Sequence, residues 1–428
     1  MSEERDAVEA PLITAIRSGD TDRLQDILAE GGDPDTRDAR GAPALCLAIQ
    51  TYSHAATRLL ITHGADPRTC GPDAVRPLRR AVESGSPALV EALLARGSRP
   101  YYPSSELLEM RELALHRYRC GAETELRRRT GAGGAVTRTR VKEEDFLWVD
   151  ELTLAGATVR EGHAAILTLL EEALRPRTRL RVPFRDMRDR AMSFPDQEHA
   201  VWAGVTMTLA YRRDQETWTA AEALRTHPGP LHRLLGAEVL RLTHLFDESD
   251  EDAFAAPALE IFLDWSTHES DHAVLAEVLT GVAEHGDQRG DLALLPHAGH
   301  PVALVRHTVA AGFSRSSAFP GGVRAALLEL TADPDALVRE AACRTIAVGR
   351  DRDPALADAM AARLTDEVRR VRFAAVDGLA LHDDERCVEG ERALRPGEPG
   401  DPLAYELSEV WRYQQRREAG IRIHPLEG

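Results

Sequence analysis

The sequence contains no asparagine and a single lysine, Lys142, beside 52 arginines in 428 residues. This bias is typical of a GC-rich genome, so the richness in arginine is weak evidence of anion binding. Acidic residues outnumber Lys plus Arg by 70 to 53, giving a formal net charge of −17. Proteins that bind nucleic acids or anionic membranes are usually basic. We therefore expect neither a nucleic acid nor a membrane as the main partner.

Long apolar runs are also missing, because no stretch approaches the roughly 18 residues of a membrane-spanning helix. The first six residues, Met1–Asp6, are acidic where a signal peptide has a basic flank. The five cysteines form no C-x-x-C pair, and their odd number argues against a closed disulfide framework. We expect a soluble cytoplasmic protein with reduced cysteines and no cofactor.

The first internal repeat has a period of 33 residues, and a fixed period of this length is typical of a solenoid. Three rows align in three columns: Leu12, Leu45 and Leu78; Ala15, Ala48 and Ala81; Gly31, Gly64 and Gly97. Each row predicts a short helix, a turn, a second amphipathic helix and then a glycine that can adopt the left-handed conformation at the helix end.

These rows resemble ankyrin repeats over residues 7–104, through the strings APLITAIRSGDTDRLQDILAEGGDPD, LLITHGADP and RPLRRAVESGSPALVEALLARG. They read Ala-Pro-Leu-Ile, Pro-Ala-Leu-Cys and Arg-Pro-Leu-Arg where the family usually has Thr-Pro-Leu-His, so the hydrogen bonds of that Thr and His are not expected. Three rows are near the minimum for a stable stack, because each row buries its apolar face only against its neighbours. We expect the segment that follows to support the array.

A second repeat with the same period lies in the C-terminal half. Val305-Arg306, Val338-Arg339 and Val371-Arg372 are 33 residues apart, and His300, Asp333 and Asp366 stand six residues before the arginines. The strings DPDALVREAACRTIA and DEVRRVRFAAVDGLA resemble HEAT repeats, including the lyase-like kind. The resemblance implies a ladder of Asp–Arg hydrogen bonds between stacked repeats, with a structural role for Asp333, Arg339, Asp366, Arg372 and Arg306. We predict about six helix pairs over 191–390 and a capping segment over 391–428.

Residues 105–190 fit neither array. Strand-like alternation over 136–141 and 151–159 predicts a β-hairpin, with helical segments on either side. The predicted fold is therefore mainly α, with an ankyrin-like and then a HEAT-like helical solenoid joined by a small α+β connector.

The connector carries a cluster of cations that can be interpreted in two ways. The cluster comprises Arg127, Arg128, Arg129, Arg138, Arg140 and Lys142, around the glycine-rich stretch 131–134. Backbone amides at glycines and guanidinium groups can bind phosphate oxygens, which favours an anion or nucleic-acid site. The segment lacks the residue order of a nucleotide-binding loop and has no interleaved aromatics, which favours a basic loop that is solvated or paired internally.

One catalytic pattern occurs, because His268 and His272 belong to an H-E-x-x-H string. Zinc peptidases place both histidines of this string on one face of a continuous helix. His268 falls at the turn position that His300 and Asp333 share, so we expect a helix to begin inside the string. A metal site at this motif is therefore not expected.

Stacked repeats expose a long, rigid concave surface that suits the binding of protein partners. The main hypothesis is a non-catalytic adaptor that binds one partner through the ankyrin rows and another through the HEAT half. Residues 191–428 contain 40 acidic and 24 cationic residues, which favours a basic partner there. Two alternatives remain: an enzyme or enzyme subunit with a site in the connector or near His268, and a nucleic-acid binder that uses the cation cluster.

The predicted contacts are at the ankyrin loop tips, where aromatic and arginine side chains can anchor an interface. They are Asp35, Arg37, Arg68, Arg99, Tyr101 and Tyr102. The other interpretation of Tyr101 and Tyr102 is that they cover the join to the connector.

Overall fold

The computed structural model describes residues 10–95, 101–144, 147–246, 253–313, 319–394 and 408–419. Within these ranges the chain is mainly helical, with one three-stranded sheet between the two repeat regions, as the sequence predicts. Contacts divide the chain into two compact units, Met1–Thr217 and Trp218–Gly428. None of the helices described combines enough length and hydrophobicity to cross a bilayer.

The three ankyrin rows form three pairs of helices. Their bounds are α1 Pro11–Ser18, α2 Thr21–Ala29, α3 Ala44–Gln50, α4 His54–Thr62, α5 Pro77–Ser84 and α6 Pro87–Leu93. The first helices of the pairs pack on one another, and so do the second helices, which gives two layers. The repeated leucines Leu12, Leu45 and Leu78 lie in the core and are at most 3% exposed.

One position of the repeat is the N-cap of the second helix in each pair. The side chains of Asp20, Ser53 and Ser86 accept hydrogen bonds from first-turn amides of α2, α4 and α6, so each caps its helix. The residues that precede these caps all have a left-handed φ: Gly19 (73°), Tyr52 (56°) and Gly85 (77°). The period of 33 therefore repeats the local turn geometry as well as the buried face.

Two helices of the connector extend the ankyrin stack, α7 (Ser104–Cys120) and α9 (His163–Thr178). α7 packs on α5, α9 packs on α6, and the two pack on each other, so they add a fourth pair to the two layers. Leu107, Met110, Ile166 and Leu170 belong to the same hydrophobic core as the ankyrin leucines. This pair supplies the neighbour that a three-row stack needs.

Between α7 and α9 the chain inserts one helix and a β-meander. Their bounds are α8 Ala122–Thr130, β1 Thr137–Glu144, β2 Leu147–Leu154 and β3 Ala157–Arg160. The strands are antiparallel in the order β1-β2-β3, with Val141 opposite Val149 and Leu152 opposite Val159. Leu126 of α8 packs with Leu152 and Val159, so α8 covers one face of the sheet.

The segment after β3 makes close contact with the third ankyrin row. The Gly162 amide donates to the Gly85 carbonyl at 3.0 Å. A Cβ on Gly85 would lie 1.9 Å from the carbonyl oxygen of Arg160, so only glycine fits there. Glu143, 1% exposed, accepts from the Ala88 amide at 3.0 Å and from Arg160 at 2.7 Å. A buried carboxylate thus ties the sheet to the start of α6.

The first unit ends with α10 (Phe184–Met192) and α11 (Ala200–Ala210), and α12 (Gln215–Ala223) spans the division between the units. α11 packs on α9 and contacts β2. We predicted that the HEAT array begins at residue 191, whereas residues 191–217 pack with the first unit. The reason is that α11 buries its apolar face against the connector.

His163, the first residue of α9, is 4% exposed. Burial, and then the charges of Arg117 and Arg129, lower its pKa to about 4. An unfolded histidine titrates near pH 6.5, so between about pH 6.5 and pH 4 the unfolded chain binds a proton that the folded chain does not. The stability contributed by the neutral ring is therefore lost as the pH falls through this window.

We expect the free energy of unfolding of the first unit to fall by about 2 kcal/mol more between pH 7 and pH 5 in the natural chain than in His163→Gln. Urea denaturation of both proteins at both pH values measures this difference. An equal fall in the two proteins would contradict the assignment.

The second unit stacks helices in two layers. Their bounds are α13 Pro230–Leu245, α14 Ala255–Ser266, α15 His272–Glu284, α16 Gln288–Leu294, α17 Ala303–Gly312, α18 Gly321–Leu330, α19 Ala336–Val348, α20 Pro354–Ala361, α21 Arg369–Leu381, α22 Arg386–Leu394 and α23 Ser408–Glu418. The odd-numbered helices α13 to α21 pack each on the next, and the even-numbered helices α14 to α22 pack beside them. α23 packs on α21 and α22 and buries Val410 and Tyr413.

Candidate interaction surfaces

A ladder of arginine–carboxylate pairs joins consecutive helix pairs of the second unit. Arg306 donates through Nε and Nη2 to both oxygens of Asp333, at 2.7 and 2.8 Å. Arg339 binds Asp366 in the same way, at 2.8 and 2.9 Å. The Nη1 of Arg339 also donates to the carbonyl oxygens of Asp333 and Pro334. Each arginine therefore fixes its own turn and the next one.

The ladder residues are largely buried, with side-chain exposures of 7% for Arg339 and 3% for Asp366. Burial alone would raise the pKa of Asp366, but hydrogen bonds from Arg339 and the Val368 amide lower it below its ordinary value. The carboxylate is thus held in its charged form inside the stack.

The ladder extends further than the sequence predicted. Arg233 of α13 donates to both oxygens of Glu269, at 2.9 and 2.8 Å, and to the His227 and Pro228 carbonyls. Its carboxylate comes 36 residues later, whereas Asp333 comes 27 residues after Arg306, so the fixed spacing missed the pair. A signal was present, because a His-Pro or Asp-Pro dipeptide stands six residues before Arg233, Arg306 and Arg339.

Arg372 is the last arginine of the ladder. Its Nη1 donates to the carbonyl oxygens of Asp366 and Glu367, at 2.6 and 3.2 Å. Among the residues that the structure describes, it has no carboxylate partner. Within the described residues, Arg372 therefore makes the carbonyl hydrogen bonds of the other ladder arginines without their ion pair.

A row of exposed leucines runs beside the ladder. Leu231, Leu304 and Leu337 each stand two residues before a ladder arginine and are 38%, 47% and 48% exposed. Because the ladder holds α17 and α19 in register, Leu304 and Leu337 occupy equivalent positions on adjacent helices. We call Leu231, Leu304 and Leu337 the leucine row. A groove of about 450 Å³ between α17 and α19 adjoins it, lined in part by Leu337, Ala341 and the exposed Val348.

The ankyrin loop tips hold four of the predicted contact residues at the surface. Arg68 binds Asp66 through two hydrogen bonds, at 3.0 and 3.1 Å, and its guanidinium lies 5.3 Å from the centre of the Tyr101 ring. The hydrogen bond from Arg68 lowers the pKa of Asp66. Asp35 accepts from the Asp66 amide at 3.0 Å, which links two consecutive loops. Arg37, further along the same surface, donates to the Gly41 carbonyl.

Tyr102 does not belong to this surface. It is 1% exposed and packs in the core of the first unit, so its prediction as a contact residue is wrong. Its neighbour Tyr101 is 47% exposed. The reason is the start of α7, which turns one ring toward the stack and the other away. The predicted contact Arg99 lies outside the described residues.

The arginines of the cation cluster are paired within the protein. Arg127 binds Glu123, Arg128 and Arg129 bind Glu125, Arg138 binds Asp150 and Glu161, and Arg140 binds Asp196 and Glu198. Lys142 lies on β1 opposite Trp148. Hydrogen bonds from Arg128 and Arg129 lower the pKa of the buried Glu125 to about 2. These pairs support the interpretation as an internally paired segment over that of an anion site.

The H-E-x-x-H string spans the end of one helix pair and the start of the next helix. α14 ends at Ser266, Asp271 caps α15, and α15 begins at His272, so His268 and His272 share no continuous helix. Both oxygens of Glu269 are bonded to Arg233. In the described part of the chain, no group of three His, Cys, Asp or Glu side chains has a geometry that could hold a metal ion.

Comparison with known proteins matches both repeat regions. A family model described as ankyrin repeats (3 copies) matches residues 12–102, and one described as HEAT repeats matches residues 324–390. The chain is also similar to the X-ray structure of YibA from Escherichia coli, at 17% identity and a TM-score of 0.42, over 53% of this chain and 84% of that one. No curated protein matches. The family models thus identify ankyrin repeats in the N-terminal part of the chain and a HEAT repeat in its C-terminal part.

Proposed function

We propose that the protein is a non-catalytic adaptor that binds one protein partner on the ankyrin loop tips and another on the layer of odd-numbered helices α13 to α21, which we call the HEAT layer. Ankyrin and HEAT repeats are typical protein-interaction scaffolds. The observation that carries the proposal is the leucine row beside the groove between α17 and α19. Leu304 and Leu337 expose large apolar side chains at the same position of α17 and α19, which pack on each other, and clustered exposed apolar side chains are typical of interaction sites.

The arginines of the ladder already have partners within the protein. Arg233, Arg306 and Arg339 each bind a carboxylate in the next turn, so we assign them to positioning the helices and the leucine row to contacting the partner. The acidic composition of 191–428 favours a partner segment with basic residues around an apolar centre.

On the ankyrin side, Arg68 and Tyr101 place an exposed guanidinium and an exposed aromatic ring together, and Asp66 is hydrogen-bonded to the guanidinium. Arg and Tyr side chains are enriched among the residues that contribute most to binding at interfaces. The cytoplasm is the proposed location.

We expect the double variant Leu304→Ser/Leu337→Ser to lose about tenfold or more in affinity for the partner of the HEAT layer, because each leucine buries apolar surface in the complex. Affinity capture from the native host, with the natural chain as reference, identifies that partner. Titration of the purified partner against each variant then measures the loss.

The matched control is Leu292→Ser on α16, which replaces a leucine that is 70% exposed outside the row. It should leave the affinity unchanged. Arg68→Ala/Tyr101→Ala should release a different partner and keep the first one. An equal loss of affinity in Leu304→Ser/Leu337→Ser and in Leu292→Ser would contradict an adaptor with two separate surfaces. Release of the same partner by Leu304→Ser/Leu337→Ser and by Arg68→Ala/Tyr101→Ala would contradict it as well.

A further inference from the structure

A cleft in the first unit is lined by residues that belong to neither of the surfaces described above. It has a volume of about 460 Å³ and is bounded by α6, the adjoining ends of β1 and β2, α9 and α11. The first unit alone supplies its walls, so the site is complete within one compact body.

Small residues form much of the lining. They are Ala88 of α6, Ala165 of α9, and Ala200, Ala203 and Gly204 of α11. A Cβ on Gly204 would meet only the Ala165 Cβ, at 3.8 Å, so the cleft is open above this position. An incoming side chain can therefore approach the backbone of α11 closely.

Larger apolar side chains line the rest of the cleft and remain partly accessible. Leu169 and Met207 are half-buried, and Tyr211 at the end of α11 is 53% exposed. A methylene chain placed here would remove apolar surface from water on several sides. Met207 is suited to such a contact because its side chain is flexible and polarisable.

Four carboxylates line the same cleft, and three of them already have an arginine. Glu143 binds Arg160, Glu144 binds Arg58, and Glu172 binds Arg175. The fourth is Glu91, which has no ion pair within the part of the chain that the structure describes.

The surroundings of Glu91 favour a cation. Glu91 lies at the exposed side of the cleft, where partial burial and then the nearby charge of Glu144 raise its pKa, with Arg58 opposing them. A positive charge placed beside Glu91 would offset both effects.

We propose that this cleft binds a lysine or arginine side chain of a partner protein, with its methylene stem on the small-residue floor and its cation at Glu91. A side chain that is apolar along its stem and charged at its tip matches a cleft that is apolar inside and has one unpaired carboxylate. An apolar residue next to that cation in the partner would cover Tyr211. The site shares no residue with the leucine row or the ankyrin loop tips.

The test uses the full chain and the dipeptide N-acetyl-Leu-Arg-amide, with the dipeptide that contains citrulline as the uncharged control. The ¹³C-labelled methyl group of Met207, assigned with Met207→Leu, reports binding in the cleft. We expect this signal to shift with the arginine dipeptide, and the dissociation constant to be about tenfold higher for the citrulline dipeptide.

Glu91→Gln should weaken binding of the arginine dipeptide to the level of the citrulline dipeptide, and Gly204→Leu should abolish binding of both by filling the floor. Glu112→Gln, which removes an exposed carboxylate on α7, is the control and should change nothing. Equal affinity for the two dipeptides, unchanged affinity in Glu91→Gln, or no shift of Met207 would each overturn the proposal. These outcomes do not depend on the leucine row, so the cleft and the adaptor function are tested separately.

Discussion

Gly85→Ala should destabilise the first unit by about 3 to 5 kcal/mol. The new methyl group would lie 1.9 Å from the Arg160 carbonyl, and this contact is with backbone that cannot rotate away. The left-handed φ of 77° adds the strain of a non-glycine residue. Relief of the overlap would separate the third ankyrin row from the chain around Gly162, and would also break the hydrogen bond between Gly162 and Gly85.

The matched control for this prediction is Gly19→Ala. Gly19 occupies the same repeat position and has a φ of 73°, but nothing lies within 4 Å of its added Cβ. It should cost only about 1 kcal/mol, from backbone strain alone. Hydrogen exchange of the full chain, followed by mass spectrometry, measures the loss of protection in α5, α6 and α9 against the second unit as an internal standard. Similar effects of the two substitutions would show that the close contact contributes nothing.

Arg339→Ala should destabilise the second unit by about 3 kcal/mol or more, because it leaves the Asp366 carboxylate buried without its bidentate partner. The substitution also frees the Asp333 and Pro334 carbonyls. Protection from hydrogen exchange should fall in α19 and α21, the two helices that the rung joins. We further expect Arg339→Met/Asp366→Asn to recover part of the loss, since it removes the buried carboxylate that has lost its bidentate partner.

Arg372→Ala is the control for the ladder. Arg372 makes the same pair of carbonyl hydrogen bonds as the other ladder arginines, but within the described residues it has no carboxylate to leave unpaired. It should cost about 1 kcal/mol. If Arg339→Ala and Arg372→Ala had the same effect, the buried ion pair would not be the source of the stability.

Features that repeat with the period were predictable from the sequence. The left-handed Gly31 and Gly64 and the fold class follow from local spacing, because each turn depends on a few neighbouring residues. The internal pairing of the cation cluster had a local signal too. Glu125 stands three and four residues before Arg128 and Arg129, which is the spacing of neighbours on a helix.

Features that depend on distant contacts were not predictable in this way. The fourth helix pair is hidden because α8 and the sheet separate α7 from α9 in the sequence. The pair of Arg233 and Glu269 is hidden because its residues are 36 apart, whereas those of the other ladder pairs are 27 apart. Tyr102 is buried in the core of the first unit, and Arg177 of α9, 75 residues later, donates to its carbonyl oxygen at 2.6 Å. The cleft likewise requires five elements, α6, β1, β2, α9 and α11, which no single stretch of sequence contains.

The position of α9 has a consequence during synthesis. Leu89 and Leu93 of α6 share a core with Ile166 and Leu170, and α9 comes only after the whole sheet has been made. At a translation rate of about 5 to 20 residues per second, the apolar side of α6 waits several seconds on the ribosome before its cover emerges. The nascent ankyrin rows are therefore exposed to misassembly and to chaperones for longer than a self-contained array would be.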